Sequence, residues 1–153
     1  MVSPELIRRY PYFAGLSMDQ IVTLAKVADE QKVEAGHYFF HEGDELCCFY
    51  LVLEGAVAVV IEMPDGQEAV ISTAGPGEVF AWSALVPPHT ATASVKAMTP
   101  CHVVAFDCRE LRKAFEEDCR FGYLMMVKAA QVIRDRLVAT RLQVLAHTPP
   151  AES

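Results

Sequence analysis

The residues of this chain best suited to chemistry lie in one segment, residues 77–97, which reads GEVFAWSALVPPHTATASVKA. A glycine, an aromatic residue expected to be buried and a short apolar helical turn come first, and a loop closing into ATASVKA follows. Backbone N–H groups at the start of a helix carry partial positive charge and attract anions. Ser83 and Ala84 occupy that start, and Thr92 adds a hydroxyl group. The segment therefore predicts a phosphate-binding site.

Two motifs in this segment resemble the ligand-binding cassette of cyclic nucleotide-binding domains. The family pattern runs roughly G-[D/E]-x-F-G-E, a short helix, and then R-[A/S/T]-A-[S/T]-V-x-A. GEVFAW fits the first half, ATASVKA fits the second, and the nine positions from Trp82 to Ala91 match the usual separation. Further short motifs resemble the same family and extend the resemblance over nearly the whole chain. They are FAGLS at 13–17, AG at 35–36, EGD at 42–44 and FYLVLEG at 49–55.

The resemblance implies a set of ligand contacts. In the family, N–H groups of the short helix point at the cyclic phosphate, an arginine neutralises it, and a glutamate accepts a hydrogen bond from the ribose hydroxyl. The matching positions of this cassette are Phe80, Ala81, Trp82, Ser83, Ala84, His89, Ala91, Thr92 and Ala93. On the long terminal helix, Arg136 and Thr140 lie near positions that contact the ligand in the catabolite-activator (Crp/Fnr) type.

Two of these positions depart from the family pattern. Trp82 stands where the glutamate is expected, and Ala91 stands where the arginine is expected. Losing a charge-assisted arginine contact costs about 2–5 kcal/mol, which is roughly 30- to 5,000-fold in affinity. An indole only donates hydrogen bonds, and Glu78, four positions earlier, belongs to the preceding turn. We therefore expect cyclic AMP and cyclic GMP to bind weakly or not at all, and any ligand to be an altered anion or a planar metabolite.

Four of these residues allow two interpretations each. Trp82 either stacks on a planar ligand or closes the pocket. His89 either meets an anion in its protonated form or is an exposed loop residue. Thr140 either contacts a ligand or is a tolerated polar residue in a helix seam, and Arg136 either binds a ligand or belongs to the solvated face of its helix.

The remaining sequence predicts a single α+β domain over residues 1–153 that positions this cassette. A capping box at residues 17–20 marks a helix start, and short β-branched and aromatic runs between glycine-containing corners are typical of an antiparallel roll. The expected N-terminal helices span residues 1–30. An antiparallel β-roll or jelly-roll barrel (a double-stranded β-helix) spans 31–107, and C-terminal helices span 108–146.

A long helix over residues 120–146 predicts a homodimer. Its apolar positions follow a seven-residue repeat, with Thr140 at one step, and are Met126, Ala130, Ile133, Leu137 and Val144. Such a repeat is typical of a coiled-coil-like seam. In catabolite-activator-type regulators a DNA-binding domain follows this helix, whereas this sequence ends at Ser153 with a tail expected to be frayed. We therefore expect a stand-alone sensor module, without a DNA-binding domain, that signals to an unknown downstream protein.

Composition argues against several other classes. A net charge of −7, from 13 basic and 20 acidic residues, is the wrong balance for binding duplex phosphates, so no direct nucleic-acid partner is expected. No apolar run approaches the ~18 residues of a membrane span, and the first residues, MVSPELIRRYPYF, lack a secretion signal. Five cysteines without a CxxC pair favour reduced, mostly buried thiols and a cytoplasmic location.

Three functional hypotheses remain. The leading one is a non-catalytic sensor in which a small-molecule ligand shifts the terminal helix. The second is a ligand-free scaffold for dimerisation or protein docking, with a closed pocket. The third, a cupin-like metalloenzyme, requires clustered histidines and a carboxylate, whereas the histidines here are scattered and no nucleophile–base pair or phosphate-binding loop is present. We therefore expect no catalytic residue, metal or cofactor.

Overall fold

Four α-helices flank the strands in the computed structural model, which describes residues 1–149. Two short helices precede the strands and two follow them: α1 (Pro4–Arg8), α2 (Met18–Lys26), α3 (Cys108–Glu117) and α4 (Cys119–His147). The long terminal helix predicted over residues 120–146 is thus confirmed as α4. Residues 150–153, most of the tail expected to be frayed, lie outside the described residues.

Within residues 1–149, eight strands form two four-stranded antiparallel sheets. The strands are β1 (Ala28–Val33), β2 (Tyr38–Phe40), β3 (Cys48–Glu54), β4 (Val57–Glu62), β5 (Glu68–Ala74), β6 (Val79–Phe80), β7 (Ser94–Ala97) and β8 (Cys101–Asp107). Their order is β1-β8-β3-β6 in one sheet and β2-β7-β4-β5 in the other. The first strand already begins at Ala28, rather than at residue 31.

The two sheets share one apolar cluster, which holds the roll together. Val52 and Val103 of one sheet and Val57 and Val95 of the other are buried within it. The predicted α+β roll is therefore confirmed. The expected closure into a barrel is wrong, because the edge strands of one sheet form no ladder with those of the other within residues 1–149.

Local side-chain bonds start the helices where the sequence predicts them. The Gln20 N–H donates to Ser17 Oγ at 3.2 Å, and the Ser17 N–H donates to Gln20 Oε1 at 2.9 Å, which completes the capping box of α2. Asp107 accepts a 2.9 Å bond from the Arg109 N–H and so caps α3. Between β3 and β4, Gly55 has φ 90°, and a Cβ there would lie 2.4 Å from the Pro100 carbonyl oxygen, so only glycine fits this corner.

The long helix α4 has two different sides. Phe121, Met125 and Ala129 are buried against the body of the domain, and Lys128 Nζ donates to the Ala14 carbonyl at 2.7 Å. The side that carries Ile133, Leu137 and Val144 is exposed. From Ala130 onward the apolar repeat predicted from the sequence therefore faces away from the roll, whereas its first member, Met126, is partly buried against the core.

The cysteines differ from the prediction of mostly buried thiols. All five are free, but only Cys101 and Cys108 are buried, while Cys47 and Cys119 are exposed. Burial depends on which face of each element meets the core, and these two thiols lie outside it. A separate observation concerns membranes: within residues 1–149 no helix has the length and apolarity needed to cross a bilayer.

Candidate functional site

The cassette begins where β6 leaves the first sheet. Phe80 pairs with Tyr50 of β3, and the two rings stack with centroids 4.8 Å apart. Ala81 then turns the chain with φ 66° and ψ 29°, and a four-residue 3₁₀ helix, Trp82–Leu85, follows. Ala81 stands where the family pattern has its second glycine. A left-handed conformation costs a residue with a Cβ roughly 1–2 kcal/mol, so this turn is strained.

The short helix offers fewer free N–H groups than the sequence suggests. The N–H of Ala84 donates to the Ala81 carbonyl at 3.0 Å, and that of Val86 donates to the Ser83 carbonyl at 3.1 Å. Ala84 is fully buried, and its carbonyl accepts a 3.0 Å bond from Arg112 Nη1 of α3. The backbone at Ala84 is therefore used within the protein, which differs from the anion-binding role expected for it.

Most of the predicted cassette residues meet around one small cavity. Its lining comprises Phe80, Ala81, Trp82, Ser83, Ala91, Thr92, Ala93 and Arg136, together with Phe40, Leu46, Val59 and Val95. The volume is about 40 Å³, which is room for only a few water molecules at roughly 10–15 Å³ each. Small-molecule sites usually measure about 300–1,000 Å³, so a nucleotide does not fit this cavity.

The four additional lining residues could not be identified from the cassette motif. Phe40, Val59 and Val95 come from three neighbouring strands of the second sheet, and Leu46 comes from the loop before β3. Their sequence signal is ordinary strand patterning, which marks them as apolar but does not indicate which cavity they reach.

Apolar side chains line the cavity at the two positions where the family pattern has its polar groups. Ala91 is only 4 % exposed. Its N–H donates a hydrogen bond to the Asp44 carbonyl at 2.8 Å, so its backbone is bonded to the turn before β3. Trp82 is half-buried and contributes to the cavity wall. Neither residue supplies a hydrogen-bond acceptor for a ribose or a positive charge for a phosphate.

Arg136 of α4 is the one charged side chain among the described residues that line this cavity. Burial lowers the pKa of its guanidinium, and the Glu78 carboxylate opposes that shift. An arginine still remains charged at neutral pH. Its guanidinium has no hydrogen-bond or ion-pair partner within residues 1–149. A positive charge without a partner therefore reaches the cassette from the terminal helix.

Three predicted site residues lie outside this cavity, namely the fully buried Ala84 described above, His89 and Thr140. His89 is half-buried, and its Nδ1 lies 3.4 Å from Arg112 Nη1. Because arginine only donates, Nδ1 is the acceptor in this contact. Thr140 is exposed on α4, and its hydroxyl donates to the Arg136 carbonyl at 2.8 Å, which satisfies it within its own helix.

A second, larger cleft opens on the other side of Arg136. Its volume is about 400 Å³, and it lies between α4, β5 and the turn that carries Gly77 and Glu78. Glu78 Oε1 accepts a 3.3 Å bond from the Gly75 N–H, so this carboxylate belongs to the turn and lines the cleft rather than the cassette cavity. A separate observation concerns metals: in the part of the chain that the structure describes, no three His, Cys, Asp or Glu side chains are grouped to hold one.

Two facing antiparallel sheets, a cassette turn and a long terminal helix define a β-roll domain. The model of the cyclic nucleotide-binding domain family matches residues 30–118, more than half of the chain. The chain therefore belongs to the cyclic nucleotide-binding domain family.

Among curated proteins, two relatives from bacteria illustrate this membership. The CRP-like cAMP-activated global transcriptional regulator of Mycobacterium tuberculosis is 28% identical over 108 residues, which cover 71% of this chain and 48% of the relative. The Cyclic AMP receptor protein of Thermus thermophilus is 27% identical over 129 residues, which cover 84% of this chain and 54% of the relative. The chain thus spans about half the length of these relatives.

Solved structures show the same fold. A putative cyclic nucleotide-binding protein from Geobacter metallireducens superimposes with a TM-score of 0.81 at 29% identity, covering 90% of this chain and 99% of that one. A cyclic nucleotide-binding domain from Methylobacillus flagellatus gives a TM-score of 0.79 at 17% identity, covering 97% of this chain and 84% of that one. The second likeness concerns the fold alone.

Proposed function

We propose that this chain is a non-catalytic regulatory sensor domain whose cassette does not recognise cyclic AMP or cyclic GMP through the family's polar contacts. The observation that carries this proposal is the cassette cavity of about 40 Å³, lined by Trp82 and Ala91. Both the space for a nucleotide and the side chains that would hold its ribose and phosphate are missing at these positions. The ligand of this domain is accordingly a different small molecule.

The proposed signal passes through α4. Arg136 is the charged group of the cassette cavity, and it belongs to the helix whose exposed side carries the apolar repeat. A ligand that binds one position of this helix more tightly than another shifts the population toward that position. Helix shifts at subunit interfaces are a common form of such switching.

We further propose that α4 forms a homodimer and passes the signal to another protein. Ile133, Leu137 and Val144 expose apolar surface along one side of the helix. Thr140 lies on the same side, and its hydroxyl is already bonded to the Arg136 carbonyl, so the seam contains no unpaired hydroxyl at this step. Five free thiols are compatible with the proposed reducing location in the cytoplasm.

A ligand-free scaffold is the second candidate function. The observation that favours it is the same small cavity, because a pocket closed by Trp82 needs no ligand to be stable. In that case α4 serves dimerisation or partner docking alone.

The fluorescence of Trp82 separates these functions, because it is the only tryptophan in the chain and it lines the cassette cavity. We expect no saturable change with cyclic AMP or cyclic GMP, and a saturable change with another metabolite from a defined panel. Saturation by either cyclic nucleotide at low micromolar concentration would contradict the proposal. A silent panel, with an unchanged α4-mediated dimer, would favour the scaffold.

A further inference from the structure

The cleft beneath α4 has the size that the cassette cavity lacks. Its volume of about 400 Å³ falls within the roughly 300–1,000 Å³ of small-molecule sites. On α4 it lies beyond Ala129, the last fully buried residue of the helix. Val132, Asp135, Arg136 and Ala139 share the helix face above the cleft, since they are spaced three and four apart.

One part of the cleft is suited to an anion. Arg136 lines the cleft and is partly buried, and its guanidinium has no partner within residues 1–149. The half-buried Tyr12 also lines the cleft, and burial raises its pKa to about 12, so its hydroxyl stays protonated at neutral pH. Partly desolvated donors are costly when they lack a partner. Both groups are therefore available to a ligand that brings acceptor oxygens.

Another part of the cleft is suited to a cation or to hydrogen-bond donors. The carboxylates of Glu78 and Asp135 line it. Asp135 is exposed and lies 3.8 Å from Arg134, whereas Glu78 has no ion pair among the described residues. With Arg136 as the single cation among the described lining residues, their formal charges sum to −1. This balance disfavours a polyanion such as a nucleotide and favours a ligand that carries both signs.

We propose that the cleft beneath α4 binds a small zwitterion of the amino-acid class, with its carboxylate on Arg136 and Tyr12 and its ammonium group on Glu78. The apolar part of such a ligand packs against Val79, Val132 and Ala139, which complete the lining. The inference rests on the proposed sensor function. It places the ligand directly against the helix that carries the signal, outside the closed cassette.

The test is a thermal-shift titration of the full chain with each standard L-amino acid at millimolar concentration, followed by calorimetry on those that raise Tm. We expect at least one to bind. Its N-acetyl derivative, which lacks the ammonium group, and its amide, which lacks the carboxylate, are expected to bind about tenfold more weakly or worse, a loss of about 1.4 kcal/mol. Loss of binding by only one of these derivatives, or by neither, contradicts a zwitterion site.

Two matched variants locate the site. Arg136→Gln is expected to weaken binding by about tenfold or more, while Arg134→Gln, on an exposed side of the same helix, is expected to leave it unchanged. Tyr12→Phe removes only the hydroxyl and is expected to weaken binding with the fold intact. No Tm rise with any amino acid, or equal affinity in wild type and Arg136→Gln, overturns the inference. A separate cyclic AMP titration distinguishes failure of this inference from failure of the proposed function. Tight cyclic AMP binding contradicts the proposed function whether or not an amino acid binds.

Discussion

Arg136 and Ala91 line the same small cavity, although they belong to the terminal helix and to the cassette respectively. The family pattern places an arginine at the position of Ala91, so the positive charge comes from the cassette itself. In this chain the charge that reaches the cavity comes from α4 instead. An anion that contacts Arg136 would therefore act directly on the helix that we propose carries the signal, without first reordering the cassette.

The two cassette substitutions should be reversible by mutation. Trp82→Glu combined with Ala91→Arg removes the indole from the cavity wall and restores an acceptor for ribose and a cation for phosphate. We expect cyclic AMP affinity to rise by roughly 30-fold or more, because a charge-assisted arginine contact contributes about 2–5 kcal/mol. Isothermal titration calorimetry measures the gain. The matched control, Trp82→Glu with Ala91→Met, opens the same space without the charge and is expected to gain little; an equal gain would show that space alone limits binding.

Relief of the strained cassette turn should stabilise the domain. Ala81 has φ 66°, so Ala81→Gly removes a strain of roughly 1–2 kcal/mol and adds unfolded-state entropy worth about 0.4–1 kcal/mol. We expect the free energy of unfolding to rise by up to about 1.6 kcal/mol, the largest difference between these effects. Urea denaturation measures it. Ala84→Gly, in the same turn but without a positive φ, is expected to destabilise, and destabilisation by Ala81→Gly would argue against strain at this turn.

The seam of α4 can be tested with two neighbouring residues of similar exposure. Leu137 lies in the apolar repeat and is 49 % exposed, while Val138 lies outside the repeat and is 45 % exposed. Leu137→Lys places a charge in the proposed seam, so we expect it to shift the protein to monomers in analytical ultracentrifugation. Val138→Lys adds the same charge and is expected to leave the dimer in place. A monomeric wild type, or equal effects of the two changes, would contradict the proposed homodimer.

Acid should weaken the junction between α3 and α4. The carboxylate of Asp118 accepts from the Phe121 N–H at 3.1 Å and from Gln20 Nε2 at 3.3 Å, and these bonds, the backbone one foremost, hold its pKa below the ordinary value. A group with a lowered folded-state pKa stabilises the fold above its unfolded pKa of about 4 and loses that contribution as pH falls through its folded pKa.

We therefore expect Asp118→Asn to be less stable than wild type at neutral pH, and the difference to shrink steadily below about pH 4. Urea denaturation at a series of pH values checks this. Asn can still cap a helix, so the comparison isolates the charge. A difference that is independent of pH would show that the charge of Asp118 does not contribute.

Local features of this fold could be predicted from the sequence, whereas the packing of distant segments against one another could not. Ser17, Gln20 and Asp107 act within one turn of their own positions, so their capping roles follow from spacing alone. The position of Arg136 beside the cassette depends on how α4 lies across the roll, a relationship between distant segments that no local pattern encodes. Closure of the roll is likewise non-local, because it depends on whether edge strands of different sheets meet.

The cassette likewise has features that the sequence predicts and features that depend on the folded structure. Its motif locates the turn and identifies Trp82 and Ala91 as departures, but the choice between a stacking surface and a closed pocket depends on packing. The structure brings Phe40, Val59 and other apolar residues into the lining and leaves about 40 Å³. The bonds made by His89 and Thr140 could not be read from the sequence either, because their partners are set by the folded geometry.

The most direct test of the central claim is calorimetric titration of the unmodified chain with cyclic AMP. The claim is that the small cassette cavity, with Trp82 and Ala91 in its lining, has lost the family's nucleotide recognition. We expect no binding heat up to millimolar nucleotide under conditions in which Trp82→Glu with Ala91→Arg gives a measurable Kd. A low-micromolar Kd for the unmodified chain would contradict the account.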